Sequence, residues 1–381
     1  MSLTLSEAKK LIASSYPEVR QWTVESGPFS PRRLKKFCRK APNPSVRGAA
    51  WERIKGDLTE TDFKTYSGSQ HVDVRLHVAA HPETPEIILY FLSHDGNQSV
   101  RQAALPRIVA SLNLEGLEYF SLSEYDDVRL IIAANPQTPR AMLLKLCDDR
   151  VQSVSQKAVS RVLENAAFKE LRLLHSSQFD DVRLAVAAHS QTPRELLLTL
   201  CDNQAESVRE KALPRIMANA TVEELENFHS SRYADVRLAV SAHPRTPRTI
   251  LLKLAKDSDP EVRQKALPRV LTTEIHQEEL EELTTGYDDA KLAVAVHPLT
   301  SKDVLLNLSF DGNQKVREKA LPRVLQDATL EDFRRLIETY HVDVRLALAM
   351  HHQTPKGILR RLAKDREPEV KKAALAKLKK G

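Results

Sequence analysis

Side chains that can carry a positive charge recur along this chain at alternating intervals of 26 and 28 residues. Arginine alternates with histidine in this series, and lysines one helical turn earlier accompany four of the arginines. The members are Arg53, His81, Arg107, Lys157, Arg161, His189, Lys211, Arg215, His243, Lys265, Arg269, His297, Lys319, Arg323, His351 and Lys377, with Asn135 in place of one histidine. Guanidinium and ammonium groups bind phosphate and carboxylate oxygens. The series therefore predicts a ligand-facing surface for anions, which we name the cationic ridge.

Helix capping is the favoured explanation of this series, and a ligand-facing ridge is the alternative. A positive charge near the C-terminus of a helix is favourable by roughly 0.3 to 1 kcal/mol, and histidine can donate to the free carbonyls of that turn. The two explanations differ in their pH dependence because imidazole titrates near pH 6.5. A ligand-facing ridge predicts binding that strengthens as the pH falls toward about 6.

A second cationic series opens the helices that follow Thr-Pro or related pairs. Its members are Arg32, Arg140, Arg194, Arg248, Lys302 and Lys356, and Glu86 is the exception. Positive charge at a helix N-terminus opposes the helix dipole. These residues either form salt bridges with the acidic first turns of neighbouring helices or join the helix amides in an anion rim. Because both sets of charges are expected on one edge, about one repeat apart, salt bridges are the favoured explanation.

The residues give no sign of a catalytic centre. The sequence lacks a glycine-rich phosphate loop, an HExxH motif, a Ser-His-Asp arrangement and a Cys-x-x-Cys pair. Cys147 and Cys201 are one repeat period apart and Cys38 is isolated, whereas zinc or iron-sulfur sites need three or four converging ligands. We therefore predict packing cysteines, no metal, no cofactor and no enzymatic activity.

A period of 54 residues underlies all these series. The tetrad DVRL begins at Asp73, Asp127, Asp181, Asp235 and Asp343, with DAKL at Asp289. A second valine lies between successive tetrads, usually followed by arginine, and Ser155 is the exception to that arginine. Fourteen half-units therefore run from Val19 to Val370. Fixed long periods are typical of repeat solenoids, in which each repeat buries its core against its neighbours.

Each half-unit is predicted to form two short helices. In one kind, apolar residues recur at helical spacing on both sides of a Thr-Pro pair, with Thr192 as N-cap and Pro193 at the first helical position. In the other kind, a capping box opens the second helix, as in Thr221 with Glu224. Thr59 with Asp62 and Thr329 with Asp332 repeat that box.

The arginine of the second Val-Arg pair is expected inside the core. On a helical wheel Arg209 falls within the apolar arc of Val208, Ala212 and Ile216, and a charge there must be paired. The candidate partners lie five positions before each valine, namely Asp95, Asp149, Asp257, Asp311 and Asp365, with Asn203 as the departure. A structural Asp-Arg ladder is the first interpretation, and ligand contact is the second.

The string VRLAVAAHSQTPRELLLTLCDN resembles the variant leucine-rich repeat of bacteria, and SVREKALPRI is similar to HEAT-like repeats. This resemblance covers almost the whole chain and implies an all-α, right-handed α-solenoid. Proteins of these families serve as scaffolds, adaptors and, in some cases, nucleic-acid binders. DNA glycosylases with HEAT-like repeats are a further alternative, for which Trp22, Trp51 and Glu52 would have to form a cleft. However, Trp51 is in phase with Leu105 and is therefore expected in the core.

Charge and domain organisation complete the prediction. Residues 1–55 carry a balance of +8 and residues 356–381 a balance of +7, which leaves 35 basic and 44 acidic residues between them. A duplex cradled along the whole chain would not face an acidic middle. We predict a capping helix in residues 1–16, a single solenoid over residues 17–381 and a basic cap from about residue 356. The expected function is a cytoplasmic scaffold for an extended or acidic protein partner, without membrane contact, with sequence-independent nucleic-acid binding as the alternative.

Overall fold

The computed structural model describes residues 3–380, and over them every regular element is helical. One short 3₁₀ turn, Lys55–Asp57, accompanies the α-helices. In chain order these are α1 (Leu5–Leu11), α2 (Pro17–Ser26), α3 (Pro31–Lys40), α4 (Pro44–Ile54), α5 (Glu60–Ser67), α6 (Val72–Ala80), α7 (Glu86–Leu92), α8 (Gln98–Ile108), α9 (Leu114–Ser121), α10 (Asp126–Ala134), α11 (Arg140–Leu146), α12 (Gln152–Leu163), α13 (Phe168–Leu174), α14 (Asp180–Ala188), α15 (Arg194–Leu200), α16 (Glu206–Met217), α17 (Val222–Phe228), α18 (Ala234–Ala242), α19 (Arg248–Leu254), α20 (Pro260–Val270), α21 (Gln277–Leu283), α22 (Asp288–Val296), α23 (Lys302–Leu308), α24 (Gln314–Leu325), α25 (Leu330–Ile337), α26 (Val342–Met350), α27 (Lys356–Leu362) and α28 (Pro368–Lys380).

The helices follow the predicted half-units. Thirteen consecutive pairs run from α2 to α27, and α28 is the first helix of the fourteenth half-unit. The all-α prediction and the prediction of an α-solenoid fold are therefore confirmed. Helix α1 lies within the predicted N-terminal cap and starts with a capping box between Thr4 and Glu7. The proposed domain boundaries remain a prediction.

The chain divides into two compact units, Met1–Leu196 and Leu197–Gly381. In the first unit α8 packs against α6 and α7, and α12 packs against α10 and α11. In the second unit α20 packs against α18 and α19, and α24 packs against α22 and α23. The first helix of a half-unit is therefore covered by both helices of the preceding one.

Packing rather than helix propensity stabilises these short helices. Helices of fewer than about 12 residues are marginal by themselves in water, and most helices here are no longer than that. In α16 the apolar residues Val208, Ala212 and Ile216 are completely buried. They lie at spacings of four residues, which places them on one face of the helix. The valine that defines each half-unit thus begins the buried stripe.

The predicted capping boxes are present. Thr59, Thr221 and Thr329 each accept a hydrogen bond from the backbone amide three residues later, and the carboxylates of Asp62, Glu224 and Asp332 accept from the threonine amides. Each box satisfies two backbone donors that the helix leaves free. The second helix of these half-units therefore starts where the sequence indicates.

The threonine of the Thr-Pro pair has a different role from the one predicted. The Thr192 hydroxyl donates to the carbonyl of Val186, and the amide of Leu196 donates to the carbonyl of Pro193 at 3.1 Å. Pro193 therefore lies just before the next helix, which begins at Arg194 rather than at the predicted Pro193, and Thr192 closes the preceding one. The prediction of Thr192 as N-cap was wrong because its side chain reaches back to an exposed helix C-terminus, where a free carbonyl is available.

The same contact recurs in every other Thr-Pro turn and also at Thr300. The threonine hydroxyl lies 2.5 to 2.6 Å from the carbonyl oxygen six residues earlier, in Thr84, Thr138, Thr246, Thr300 and Thr354. These threonines are buried. A hydroxyl of this kind fixes the angle between the two helices of the half-unit.

Replacing Thr138 by valine keeps the volume and removes the hydroxyl that donates to Ile132. We expect the free energy of unfolding to fall by about 1 kcal/mol, the typical value of one hydrogen bond. Urea denaturation followed by circular dichroism measures this change. Thr61→Val, at an exposed site on α5, is the control and should leave the stability almost unchanged. A loss of equal size in both variants would contradict the assigned role.

Candidate functional site

A ladder of arginine-aspartate pairs runs through the repeats; in one series the two partners belong to consecutive half-units, and in the other they lie within one half-unit. Arg101 of α8 is paired with Asp127 of α10, with 2.7 Å between Nη2 and Oδ1, and their side chains are only 6% and 5% exposed. The other members of this arginine ladder are Arg47–Asp73, Arg75–Asp95, Arg129–Asp149, Arg209–Asp235, Arg237–Asp257, Arg263–Asp289, Lys291–Asp311, Arg317–Asp343 and Arg345–Asp365. The prediction of a structural Asp-Arg ladder is confirmed.

The partners within the ladder differ from those expected for the second arginine series. Asp95 was the expected carboxylate for Arg101, but its two hydrogen bonds from a guanidinium come from Arg75. Arg101 instead donates Nη1 to the backbone carbonyl of Asp95 at 2.8 Å and uses the carboxylate of Asp127. The sequence reasoning missed the aspartate of the DVRL tetrad as a partner. Its repetition with the period was the available signal.

Several of the pairs lower the pKa of their aspartates and so favour the charged form. Burial by itself would raise the pKa of Asp95, but hydrogen bonds from Arg75 and from the amide of Asn97 outweigh burial and lower it. The pKa values of Asp149, Asp257 and Asp365 are lowered for the same reasons. Because each carboxylate is matched by one guanidinium, the ladder leaves little charge for an external ligand.

The ridge arginines cap helices of the preceding half-unit. Arg107 donates Nη1 to the carbonyls of Ala79 and His81 at 2.8 and 2.6 Å, and Nη2 to Pro82 at 2.7 Å. Arg53, Arg161, Arg269 and Arg323 make equivalent bonds to carbonyls 25 to 29 residues earlier. Such groups are the unsatisfied carbonyls at a helix C-terminus. The contacts support the capping explanation.

The ridge histidines are used in the same way. Nε2 lies 2.9 to 3.0 Å from the carbonyl oxygen 26 residues earlier in His81, His189 and His243, and is placed to donate to it. Asn135, which replaces a histidine, donates Nδ2 to the equivalent carbonyl of Val109 at 3.3 Å. An amide can therefore do the work of the imidazole at this position, which requires a hydrogen-bond donor rather than a titrating group.

The burial of two ridge histidines contradicts the prediction that they face a ligand. His81 and His297 are only 9% exposed, so they do not face a ligand. Burial lowers the pKa of His297, and the nearby Arg323 guanidinium lowers it further. Burial also lowers the pKa of His351, together with His352 and Lys377. The lowered pKa values of His297 and His351 favour the neutral imidazole, which opposes the expected strengthening of binding toward pH 6 at these two positions.

Except for Lys377, the lysines of the ridge are exposed, as are Arg53 and Arg107. Lys211, Lys265 and Lys319 are exposed in the second unit, and no ion pair involves them within residues 3–380. Exposed acidic residues stand beside two of them, Glu210 next to Lys211 and Glu318 next to Lys319. These neighbours weaken the positive potential along the ridge.

The expected anion rim consists of salt bridges at three positions. Arg140 forms a two-pronged pair with Glu170, and Arg248 forms one with Glu279, with Nε–Oε1 at 2.7 Å and Nη2–Oε2 at 2.9 Å. Lys302 lies 2.8 Å from Asp332. Hydrogen bonds from Arg248 lower the pKa of Glu279 to about 2. Salt bridging, the favoured explanation, is confirmed at these three positions. The alternative of an anion rim is wrong there, because the cations are already paired with carboxylates. Arg194 and Lys356 are not free either.

Glu86, the exception to this series, also lacks the acidic partner that the cations have. Glu86 takes the place of the cation, and in the following helix α9 the corresponding position of the capping box is Gly116 rather than an acid. Glu86 accepts a hydrogen bond from Ser111 instead. The cation and the carboxylate are therefore absent together, as expected for residues that form a salt bridge with each other.

A groove near the N-terminus has an excess of positive charge. We name this cavity of about 1010 Å³ the N-terminal groove; the cations that line it are Arg20, Arg32, Arg33, Lys36 and Lys40, and no carboxylate lines it. Ile12, Phe37, Pro42, Pro44 and Val46 give it an apolar floor. Arg33 lies 5.5 and 5.7 Å from the ring centroids of Phe29 and Phe37. The sequence analysis found the charge of this region but not the groove.

An apolar surface on α7 and α9 was also missed. Ile87 and Phe91 are 72% and 58% exposed, and Tyr119 and Leu122 are 57% and 76% exposed. Clusters of exposed apolar side chains are often interaction sites. The segments LYFL and LEYFSL carried the signal, because their aromatic residues exceed what one buried helix face needs.

The cysteines and Trp51 are packing residues. Burial raises the pKa of the Cys38 and Cys147 thiols to about 12, which keeps them protonated. Cys201 is buried as well. Trp51 is only 4% exposed and stacks on His77 with 5.3 Å between ring centroids, so its expected core position is confirmed. No group of metal-ligating side chains occurs in the part of the chain that the structure describes. None of the helices between residues 3 and 380 could cross a membrane.

Fold and contacts together define an all-α repeat protein whose recurring polar residues join its repeats. The family model for the leucine-rich repeat variant matches residues 180–204. This segment contains α14, the turn with Thr192 and α15. The resemblance to variant leucine-rich repeats is therefore confirmed, and it is located in one half-unit.

Several solved structures are similar to this chain. A leucine-rich repeat variant described as having a novel repetitive structural motif is 24% identical, with 63% of this chain and 94% of that chain covered and a TM-score of 0.32. An engineered protein is 15% identical over 98% of both chains, with a TM-score of 0.19. A chain from a structure of Kap95p binding to RanGDP is 12% identical, with 98% of this chain and 57% of that chain covered and a TM-score of 0.28. These values carry no inference about function. No curated protein matches the chain significantly.

Replacing Asp127 by alanine leaves the buried Arg101 guanidinium without its carboxylate. We expect the free energy of unfolding to fall by about 3 to 5 kcal/mol, the usual cost of breaking a buried pair on one side. Glu52→Ala removes the partner of Lys55 in a pair that is 62% and 49% exposed, and should cost less than about 1 kcal/mol. Urea denaturation of both variants tests the ladder, which a similar loss in both would contradict.

Acid should unfold the protein through the ladder. The pKa values of Asp95, Asp149 and Asp257 are lowered in the folded state, whereas an unfolded aspartate titrates near pH 3.9. Their contribution is therefore complete above about pH 4 and is lost as the pH falls through the lower folded values. We expect a constant urea midpoint from neutral pH to about pH 5 and a progressive fall below about pH 4. Asp95→Asn should be less stable at neutral pH and show a shallower fall; a midpoint that rises below pH 4 would refute the assignment.

Proposed function

We propose that this protein is a non-enzymatic repeat scaffold that binds an acidic segment of a protein partner in the N-terminal groove. The coarse part of this statement follows from the fold, because repeat solenoids offer extended surfaces consistent with protein binding. The finer part rests on one observation: five cations and no carboxylate line the groove. A charge pattern of this kind is complementary to an acidic ligand and accelerates its association.

The charges of the groove are available to a ligand to different degrees. Arg20 donates to the backbone carbonyl of Ser14, and Arg33 stacks on two phenylalanine rings. Arg32, Lys36 and Lys40 are exposed and take part in no salt bridge within residues 3–380. We therefore assign the first contact with carboxylates to these three residues.

The apolar floor supports a protein partner rather than a nucleic acid. Phe37, Pro42 and Pro44 can cover aliphatic side chains of a peptide, whereas a phosphate backbone makes no apolar contacts with such a surface. The chain beyond the groove also opposes a long polyanion, because residues 56–355 carry 35 basic and 44 acidic residues. A short acidic segment avoids this repulsion.

The cationic ridge has a smaller part in this proposal than the sequence suggested. Its arginines and histidines donate to backbone carbonyls, for example Arg107 to Ala79 and His243 to Met217. A side chain that already caps a helix has fewer donors left for a ligand. The ridge lysines remain as weaker secondary contacts, and the absence of catalysis remains part of the proposal.

Reversing the charge of the groove tests this function. In Lys36→Glu/Lys40→Glu we expect the affinity for a fluorescein-labelled glutamate-rich peptide with interspersed leucines to fall at least about tenfold, or about 1.4 kcal/mol. The control Lys371→Glu/Lys372→Glu changes the same charge at exposed positions of α28 and should bind as the unaltered protein does. Fluorescence anisotropy at low salt measures both, and circular dichroism verifies that both variants fold.

Two results would overturn the proposal. The first is the absence of peptide binding at low salt, and the second is an equal loss in the groove variant and its control. A labelled DNA duplex serves as the competing ligand in the same titration. Tighter binding of the duplex, lost steeply as salt rises, would assign the groove to nucleic-acid phosphates instead.

A further inference from the structure

One position of the arginine ladder holds no arginine. Ser155 of α12 stands where five other repeats have Arg47, Arg101, Arg209, Arg263 and Arg317. Its side chain is buried, and its hydroxyl donates to the carbonyl of Cys147 at 2.6 Å. Serine is far shorter than arginine, so the space that a guanidinium occupies elsewhere is not filled by the residue at this position.

A cavity of about 290 Å³ lies at this place. Among its lining residues are Ser155, the ring of Phe179 and the acidic residues Asp149, Asp180 and Asp181. All of them belong to the first compact unit. The lining is thus acidic and aromatic, and we name it the vacant rung.

The occupied rungs show what such a lining holds. In the preceding double repeat the Arg101 guanidinium carbon lies 3.7 Å from the ring centroid of Tyr125. Its nitrogens donate to the carboxylate of Asp127 and, at 2.8 Å, to the carbonyl of Asp95. Two later rungs repeat the stacking, with Arg209 over Tyr233 at 3.8 Å and Arg263 over Tyr287 at 4.2 Å. An aromatic face, a carboxylate and a carbonyl together bind one guanidinium.

All three elements are present at the vacant rung. In sequence register Phe179 corresponds to Tyr125, Asp181 to Asp127 and the carbonyl of Asp149 to that of Asp95. The Asp181 carboxylate accepts side-chain amide hydrogen bonds from Gln152 and Gln156, and both fall on Oδ2. Oδ1 accepts none from any residue that the structure describes. The site therefore keeps an acceptor for a second donor.

The other charges around the vacant rung are mostly neutralised. The Asp149 carboxylate is paired with Arg129, and Asp180 is paired with Arg183. Arg150 is the one cation of the lining; it is exposed and forms no salt bridge among residues 3–380. Asp181 is consequently the carboxylate left to recognise a cation from outside.

We propose that the vacant rung is a binding site for a guanidinium group, supplied by an arginine side chain of a partner protein or by free arginine. Asp181 accepts its N–H groups, the carbonyl of Asp149 accepts a further one, and Phe179 covers its face. The site uses other residues than the N-terminal groove, so it stands or falls independently of the proposed function.

The chemistry selects guanidinium over ammonium. A guanidinium is planar, stacks on aromatic rings and presents parallel N–H groups that match a carboxylate, whereas an ammonium is a compact, strongly hydrated charge. The rungs of the second arginine series follow this preference, since arginine fills five of them within residues 47–317. A lysine analogue is therefore the appropriate negative control.

Binding of small arginine analogues tests the site directly. We expect N-acetylarginine amide to bind the full-length protein saturably by calorimetry, with a dissociation constant on the order of 1 mM, and N-acetyllysine amide to bind at least about fivefold more weakly. Free arginine forms the second arm. Tighter binding of the capped amide assigns the site to a peptide-borne side chain, and tighter binding of free arginine assigns it to the amino acid.

Variants at the vacant rung provide the matched comparison. Asp181→Asn should abolish binding, whereas Asp126→Asn, the same charge change at an exposed position one double repeat earlier, should leave binding unchanged. Ser155→Arg should place the chain's own guanidinium in the cavity, abolish binding of the analogue and raise the melting temperature.

Four outcomes would overturn the proposal. They are no saturable binding of N-acetylarginine amide, equal binding by Asp181→Asn, undiminished binding by Ser155→Arg, and a lower melting temperature of Ser155→Arg. The variant Arg150→Ser, which has the residue found at Ser258 in a later repeat, tests whether Arg150 itself occupies the cavity. If only this variant bound the analogue, Arg150 itself would fill the rung and an external ligand would be ruled out.

Discussion

The buried pairing of arginine with aspartate is the constraint on which this structure depends. A guanidinium inside the core is costly unless a carboxylate and further acceptors satisfy it. For Arg101 the carboxylate, Asp127, comes from the following half-unit, and the carbonyl comes from the turn before its own helix. The half-unit of Arg101 therefore depends on the following one for its carboxylate. This requirement orders the repeats and makes each depend on its neighbours, as in other linear repeat proteins.

The same logic governs the helix ends. Short helices expose many backbone carbonyls relative to their length, and this chain satisfies them with side chains from other turns. Thr138 donates within its own half-unit, whereas Arg107 and His243 donate to the preceding one. The arginines and histidines of the cationic ridge thus stabilise helix ends. The surfaces left for function are those where charge is not used in this way, above all the N-terminal groove.

Positions that depart from the repeat pattern are more informative than positions that follow it. At Ser155 the arginine is missing while its aromatic and acidic surroundings remain. Arg183, whose counterparts pair with an aspartate 20 residues later, is paired with Asp180, and its Nε has no partner among the residues that the structure describes. A repeat protein supplies its own reference for such sites, since the intact repeats show what each altered position normally holds.

The sequence alone determined the period, the two helices of each half-unit, the capping boxes and the burial of the ladder arginines, because these depend on local spacing and on the helical wheel. It could not decide which aspartate reaches Arg101, or that Thr192 turns back to Val186. Those choices depend on distances between helices that lie 20 or more residues apart, or on the angle of a turn. Only the packed structure decided that the alternating arginines and histidines satisfy carbonyls, because a wheel places a side chain on a face without showing what covers that face.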